Sequence, residues 1–262
     1  MQVEPRVIPV LLIADGRFVK TRCFSDPIYI GDPVNVLSIF NEFEVDEIIT
    51  LDITAAKSRI PQPLDLLRNY AEECFIPLAY GGGLTSVEQI GEVLRAGYEK
   101  AVVNSLLADQ PDIVESAADR YGSQAIVASI DIRSENEKRS VVVHGNRDVV
   151  KATPANWASR AVDLGAGEIL VRAVDREGTG HGFDLELVAE VAAAVSVPVI
   201  AHGGAGRRAD LAKPVLESGA SAVAAGSLFV FQGQNRGVLI NYLPRSQIEA
   251  LFRTTTGPTE KS

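Results

Sequence analysis

A closed (β/α)8 barrel, an α/β fold of the TIM-barrel kind, is what the sequence predicts, and three observations carry it. Short Val/Ile/Leu runs alternate with segments of helical period eight times, the pattern repeats at half the chain length, and glycine clusters follow matching runs in the two halves. Continuous apolar runs of this kind belong to parallel strands buried on both faces. The eight runs are Val7–Leu12, Glu47–Ile53, Ile76–Tyr80, Lys100–Asn104, Ala125–Asp131, Glu168–Ala173, Val197–Ala201 and Ala222–Ala225. Amphipathic segments at Asp32–Phe43, Pro63–Glu73, Ser86–Ala96, Asp109–Tyr121, Pro154–Leu164, Asp184–Val195 and Ala209–Ser218 lie between them. An open doubly wound sheet would use fewer strands and a GxGxxG turn after the first, and no such turn stands there.

The repeat has an offset of about 121 residues. It aligns Ile76-Pro77-Leu78-Ala79-Tyr80-Gly81-Gly82-Gly83 with Val197-Pro198-Val199-Ile200-Ala201-His202-Gly203-Gly204. It also aligns Val103-Asn104-Ser105-Leu106 with Ala225-Gly226-Ser227-Leu228, and Glu47-Ile48-Ile49 with Glu168-Ile169-Leu170. The barrel therefore reads as two fused half-barrels of four strands each. One domain over residues 1–253 is expected, with Thr254–Ser262 as a disordered polar tail.

Composition narrows the function. With 46% hydrophobic and 23% charged residues the chain is of the soluble globular class. A formal charge of −9 and no Lys/Arg cluster argue against a nucleic-acid partner, whose binding rests on a basic face. Cys23 and Cys74 stand in no metal-like or redox-like spacing, so no metal and no cofactor is expected. Met1–Val10 carries no signal pattern and no run approaches the roughly 18 apolar residues of a membrane span, so a cytoplasmic protein without membrane contact is expected.

Gly82 and Gly83, ending one strand and opening a helix, leave backbone N–H groups bare where the helix dipole favours an anion. Gly203 and Gly204 are the second copy, and Gly226 and Ser227 follow the last strand, where barrels commonly hold phosphate. Such glycines equally serve tight strand-to-helix turns. Their occurrence as paired copies favours two phosphate seats facing each other across the barrel mouth, hence a phosphorylated small molecule with two phosphates.

Along nearly its whole length the chain resembles the HisF family, the cyclase subunit of imidazole glycerol phosphate synthase. The resemblance is carried by Arg6-Val7-Ile8-Pro9, Asp15-Gly16-Arg17-Phe18-Val19-Lys20, Gly31-Asp32-Pro33, Leu51-Asp52-Ile53-Thr54-Ala55, Gly81-Gly82-Gly83, Gly122-Ser123-Gln124-Ala125, Gly165-Ala166-Gly167-Glu168-Ile169 and Gly203-Gly204-Ala205-Gly206. It implies a catalytic pair of aspartates at the ends of strands one and five, acting as general acid and base. Asp131 stands at the fifth, but the first is Leu12, and Asp15 matches a different acidic position. Leucine exchanges no proton, so cyclase activity should be weak or absent.

The resemblance also implies an ammonia gate of Arg6, Glu47, Lys100 and Glu168 at the N-terminal bottom of the barrel, with a HisH-like glutaminase docked there. A surface salt-bridge cluster is the plainer alternative for these four. It places Lys20, Asp52, Asn104, Ser105 and the Gly178-Thr179 loop near the ligand at the mouth, although an acidic turn is an equal reading of Asp175–Gly180. His202 beside a seat, and His144 and His181 in loops, are read as polar or capping residues, and Trp157 as helix packing.

Leu11-Leu12, Gly226–Phe231 and Val238–Tyr242 resemble the WbuZ-like branch of HisF-like proteins of surface-polysaccharide synthesis. That implies work beside a glutaminase and a sugar amidotransferase in turning an acetamido sugar into an acetamidino one. A histidine-pathway cyclase, and a non-catalytic scaffold that activates the glutaminase, are the competing expectations.

Overall fold

The computed structural model describes residues 4–136, 138–233 and 237–253. The expected tail, Thr254–Ser262, lies outside the described residues. Eight strands run parallel: β1 Arg6–Ala14, β2 Ile48–Asp52, β3 Leu78–Gly81, β4 Lys100–Val103, β5 Ile126–Glu135, β6 Glu168–Ala173, β7 Val199–His202 and β8 Ala222–Ala225. Each pairs with the next, and β8 returns to β1 in the register Arg6↔Ala222 to Pro9↔Ala225, which closes the (β/α)8 barrel. Each of the eight runs read from the sequence overlaps one of these strands.

Alternation along each strand divides the apolar residues into two cores. Ile8, Val10 and Leu12 of β1 point inward with Ile49, Leu51, Ala79, Val102, Val127, Leu170, Ile200, Ala222 and Ala224 and fill the barrel. Leu11 and Ile13 point outward and join a larger core with helix residues such as Leu37, Phe40, Ile90, Val114, Trp157 and Val191.

Helices begin where side chains can satisfy their first N–H groups. Asp32, Ser86, Thr153 and Asp184 cap the helices Pro33–Glu42, Val87–Arg95, Pro154–Asp163 and Leu185–Ala194, each accepting from the amide three residues on. Proline sits in the first turn of the first and third of these, where its missing N–H costs nothing. Trp157 is buried on its helix face, as expected of packing.

The helices differ from expectation in detail. The segment Asp109–Tyr121 holds the helix Pro111–Tyr121, and a separate short helix, Leu106–Asp109, ends where the segment begins. Ala209–Ser218 is a 3-10 turn, Arg208–Ala212, followed by a helix at Lys213–Ser218, with Pro214 at its start. The top of the barrel also carries two antiparallel extensions not foreseen. One is the hairpin Arg17–Arg22 and Ser25–Gly31 against β1; the other is Lys138–Val143 and Asp148–Val150 against β5.

The glycine clusters answer first to packing between neighbouring loops. A Cβ on Gly83 would lie 2.8 Å from the backbone of Ile60 and Pro61, and one on Gly204 would lie 2.1 Å from the Gly182 carbonyl oxygen. Both residues also have φ in the left-handed region, at 71° and 105°. Gly145 shares that region at φ 67° but has nothing within 4 Å of its Cβ position. Gly204→Ala is therefore expected to cost about 3 kcal/mol or more, and Gly145→Ala only about 1 kcal/mol. Urea denaturation of the two variants checks this; equal losses would remove the packing account.

Candidate functional site

Inward alternation along β6 puts Glu168 at the bottom of the barrel, Leu170 in its middle and Arg172 at its mouth. The same logic brings Arg6, Glu47 and Lys100 to the bottom beside Glu168. Arg6 bonds Glu47 through one guanidinium nitrogen and Glu168 through the other. Lys100 Nζ completes a ring at 2.9 Å from each of the same two carboxylates. Glu47 and Glu168 are buried, so this is no surface cluster, and each buried carboxylate has two cationic partners.

At the mouth, Gly82 and Gly83 after β3 and Asn104 and Ser105 after β4 line one cavity together with Leu12, Asp52, Asp131 and Arg172. Asn104 donates to the Ser129 carbonyl at 2.9 Å, and Ser105 accepts the His144 amide at 3.0 Å, so one is held by β5 and the other by the turn of its extension. On the far side of the barrel, Gly203, Gly204, Gly226 and Ser227 line a smaller pocket with Lys20, Gly178 and His202. The two clusters expected from the repeat thus face each other across the C-terminal rim.

They are not equivalent. Lys20, almost fully buried, reaches into the smaller pocket and pairs with the buried Glu177, which Thr21 also bonds at 3.2 Å. A Cβ on Gly226 would touch Lys20 Cε at 2.7 Å, so glycine there makes room for the lysine. Both clusters open into pockets: the first is the larger, and in the second the ion pair of Lys20 and Glu177 is part of the lining. Thr179 spends its hydroxyl on the Arg176 carbonyl at 2.7 Å, within its own loop. Asp52 caps the short helix Ile53–Ser58 through the Ala55 amide and takes a bond from Gln62; burial raises its carboxyl pKa, with those hydrogen bonds opposing.

Asp131 lies on β5 facing Leu12 in the same cavity, with Arg172 Nη1 at 3.3 Å and Ser129 Oγ at 3.4 Å. Burial pushes its carboxyl above the usual range, against the pull of Arg172 and Ser129. Leu12 is itself buried and offers no proton. His202, beside Arg172 in the β6–β7 register, is held neutral: burial, then Arg172 and Lys20, take its pKa well below the ordinary value. Its Nδ1 and the Ser227 hydroxyl have no hydrogen-bond partner among the described residues.

Sequence reasoning missed Arg172, the pairing of Glu177 with Lys20, and the loop network that ties His144 to Arg59, Asp109 and Asp148. In that network His144 Nε2 lies 3.0 Å from Asp109 and Nδ1 lies 2.7 Å from Asp148, while Arg59 also bonds Asp109. The signal for Arg172 was present: counting inward positions from Glu168 by twos reaches a charged residue at the mouth. His181 stays exposed in its loop. Among the described residues no group of His, Cys, Asp and Glu has a metal-holding arrangement, and no helix is long and apolar enough to cross a membrane.

Comparison with known proteins matches residues 6–235 to the family model described as histidine biosynthesis protein. A putative imidazole glycerol phosphate synthase subunit HisF of Leptospira interrogans is 40% identical over 252 residues, covering 95% of this chain and 99% of that protein. The chain belongs to the HisF family. A putative subunit of the same synthase from Pseudomonas aeruginosa, hisF2, is 44% identical over 92% of this chain and 96% of its own length. The HisF subunit of Streptomyces coelicolor is 43% identical over 88% of this chain and 92% of its own.

In this HisF-family barrel the neutral His202 gives a pH signature. A histidine whose folded pKa is depressed binds its proton in the unfolded chain first, so stability falls as pH drops below about 6.5, by roughly 1.4 kcal/mol per pH unit for that one group. The difference in stability between wild type and His202→Gln, followed by denaturant melts from pH 7.5 to 5.5, should shrink toward acid. A difference that stays constant would mean that His202 titrates in the fold as it does in the unfolded chain.

Proposed function

We propose that this chain is the ammonia-receiving synthase subunit of a HisF-type glutamine amidotransferase, acting in the cytoplasm on a phosphorylated small molecule. The observation that carries the reading is the division of the barrel interior: a closed ring of four charges at the bottom, an apolar middle, and at the mouth a cavity into which Asn104, Ser105, Asp131 and Arg172 bring polar groups. Ammonia released by a HisH-like glutaminase on the bottom face would enter past Arg6, Glu47, Lys100 and Glu168. It would then meet its acceptor beside Gly82, Gly83, Asn104 and Ser105.

The acceptor separates two readings. The names of the relatives support the imidazole glycerol phosphate synthase of histidine biosynthesis. Leu12 opposes it, since Asp131 then lacks the partner with which it would divide the acid and base steps. Sugar amidation beside a sugar amidotransferase draws on Leu12 and the sequence resemblance alone, and none of the relatives named above carries such a description. A scaffold role would need neither the cavity nor its polar lining.

Free ammonium salt and the histidine-pathway ribonucleotide test this without any glutaminase, by following loss of the substrate chromophore. Turnover is expected at least about 10²-fold below that of a cyclase with both aspartates, with partial recovery in Leu12→Asp. Wild-type turnover equal to such a cyclase would establish the histidine reading.

A further inference from the structure

His202 ends β7 at an inward position, next to Arg172 in the β6–β7 register and opposite Ala224 of β8. It is only 5% exposed, and both its Nδ1 and the buried Ser227 hydroxyl lack a hydrogen-bond partner among the described residues. The two residues line the pocket of Gly203, Gly204 and Gly226. A buried polar atom left unbonded costs about 1–3 kcal/mol, a penalty that a ligand oxygen placed beside it removes.

The charges around this ring leave it without an acid. Arg172 on β6 and Lys20 on the first hairpin both act on it as cations, and each has its own carboxylate: Asp131 at 3.3 Å from Arg172, and Glu177 on Lys20. Arg176, in the loop after β6, gives Nη1 to the Gly182 and Phe183 carbonyls, and β8 brings no charge. The imidazole is therefore neutral before a ligand binds. A tetrahedral dianion among the glycines brings negative charge to its side, and an adjacent opposite charge favours the protonated ring. We infer that His202 reads the anionic group in this pocket: it takes one proton from solvent as a phosphate dianion is seated and donates an N–H to a phosphate oxygen. No bond of the ligand breaks, and binding at this seat tightens as pH falls. The inference deepens the proposed function and rests on its claim that the ligand is phosphorylated.

Sulfate is the probe that isolates the histidine, because it matches the phosphate dianion in shape and charge yet does not itself titrate near neutral pH. In the full chain carrying His144→Gln and His181→Gln, His202 is the single histidine, and nitrogen NMR of labelled histidine reads its charge directly. Should that double variant fold poorly, the His202 signal in wild type is the one absent from His202→Gln. Occupancy of the pocket is read from the amide signals of Gly203 and Gly226. At about pH 6.5 the ring should be neutral without sulfate and become imidazolium as those amides saturate. Sulfate affinity at these amides should rise by up to about tenfold for each pH unit lowered, as uptake of one proton requires. His202→Gln should bind sulfate more weakly at the same pH, and its affinity should not vary with pH.

A ring that stays neutral while sulfate shifts both amides, or one already protonated before sulfate is added, would overturn the inference with the seat intact. The same holds for a pH dependence that survives His202→Gln. Failure of both sulfate and glycerol 3-phosphate to shift the Gly203 and Gly226 amides would overturn the seat and this inference with it.

Discussion

Closure of the barrel between β8 and β1 is the constraint from which the functional arrangement follows. Once Arg6–Pro9 pairs with Ala222–Ala225, every strand has one face turned into an enclosed interior, and no inward side chain can relax into solvent. A charge at an inward position must then sit at one end or find partners. Both happen here: Glu47 and Glu168 sit at the bottom with Arg6 and Lys100, and Asp131 sits at the mouth with Arg172. The apolar layer between them, with small residues such as Ala79, Ala222 and Ala224, keeps the two polar ends apart.

The mouth is polarised by what surrounds each group. Asp131 and His202 are both fully enclosed, yet burial acts on them in opposite senses, favouring the protonated carboxyl and the neutral imidazole. Both shifts reduce the net charge that the interior must hold. Lys20 and Glu177 solve the same problem by pairing in the wall of the second pocket. The two half-barrels thus share a backbone plan while their mouths differ, one a larger cavity and one a smaller pocket lined by an ion pair.

The strands were legible because a strand buried on both faces needs an unbroken apolar run, and Val, Ile and Leu provide it in all eight places. Most helices were legible from their caps, Asp32, Ser86, Thr153 and Asp184. The hairpins were missed although Asp15-Gly16 and Gly145, all left-handed, were a signal for turns; Cys23, Phe24, Asn136, His144 and Asn146 take the same region without being glycine and give none. The ring and the opposed glycine clusters were legible as positions, through the family resemblance and the internal repeat. What lay beyond sequence was which charge faces which, such as Lys20 against Glu177 and Asp131 against Arg172.

The central claim, that ammonia enters through the charged ring, is tested most directly by coupling to a glutaminase. A HisH-type glutaminase is mixed with the wild-type barrel or with Lys100→Met, and its glutamine hydrolysis is compared with incorporation of its amide nitrogen into the product formed at the mouth. The account predicts that wild type stimulates hydrolysis and transfers the nitrogen. In Lys100→Met, hydrolysis continues while transfer falls about tenfold and ammonia escapes to solvent. Absence of any binding or stimulation by wild type, or transfer unaffected by Lys100→Met, would contradict it.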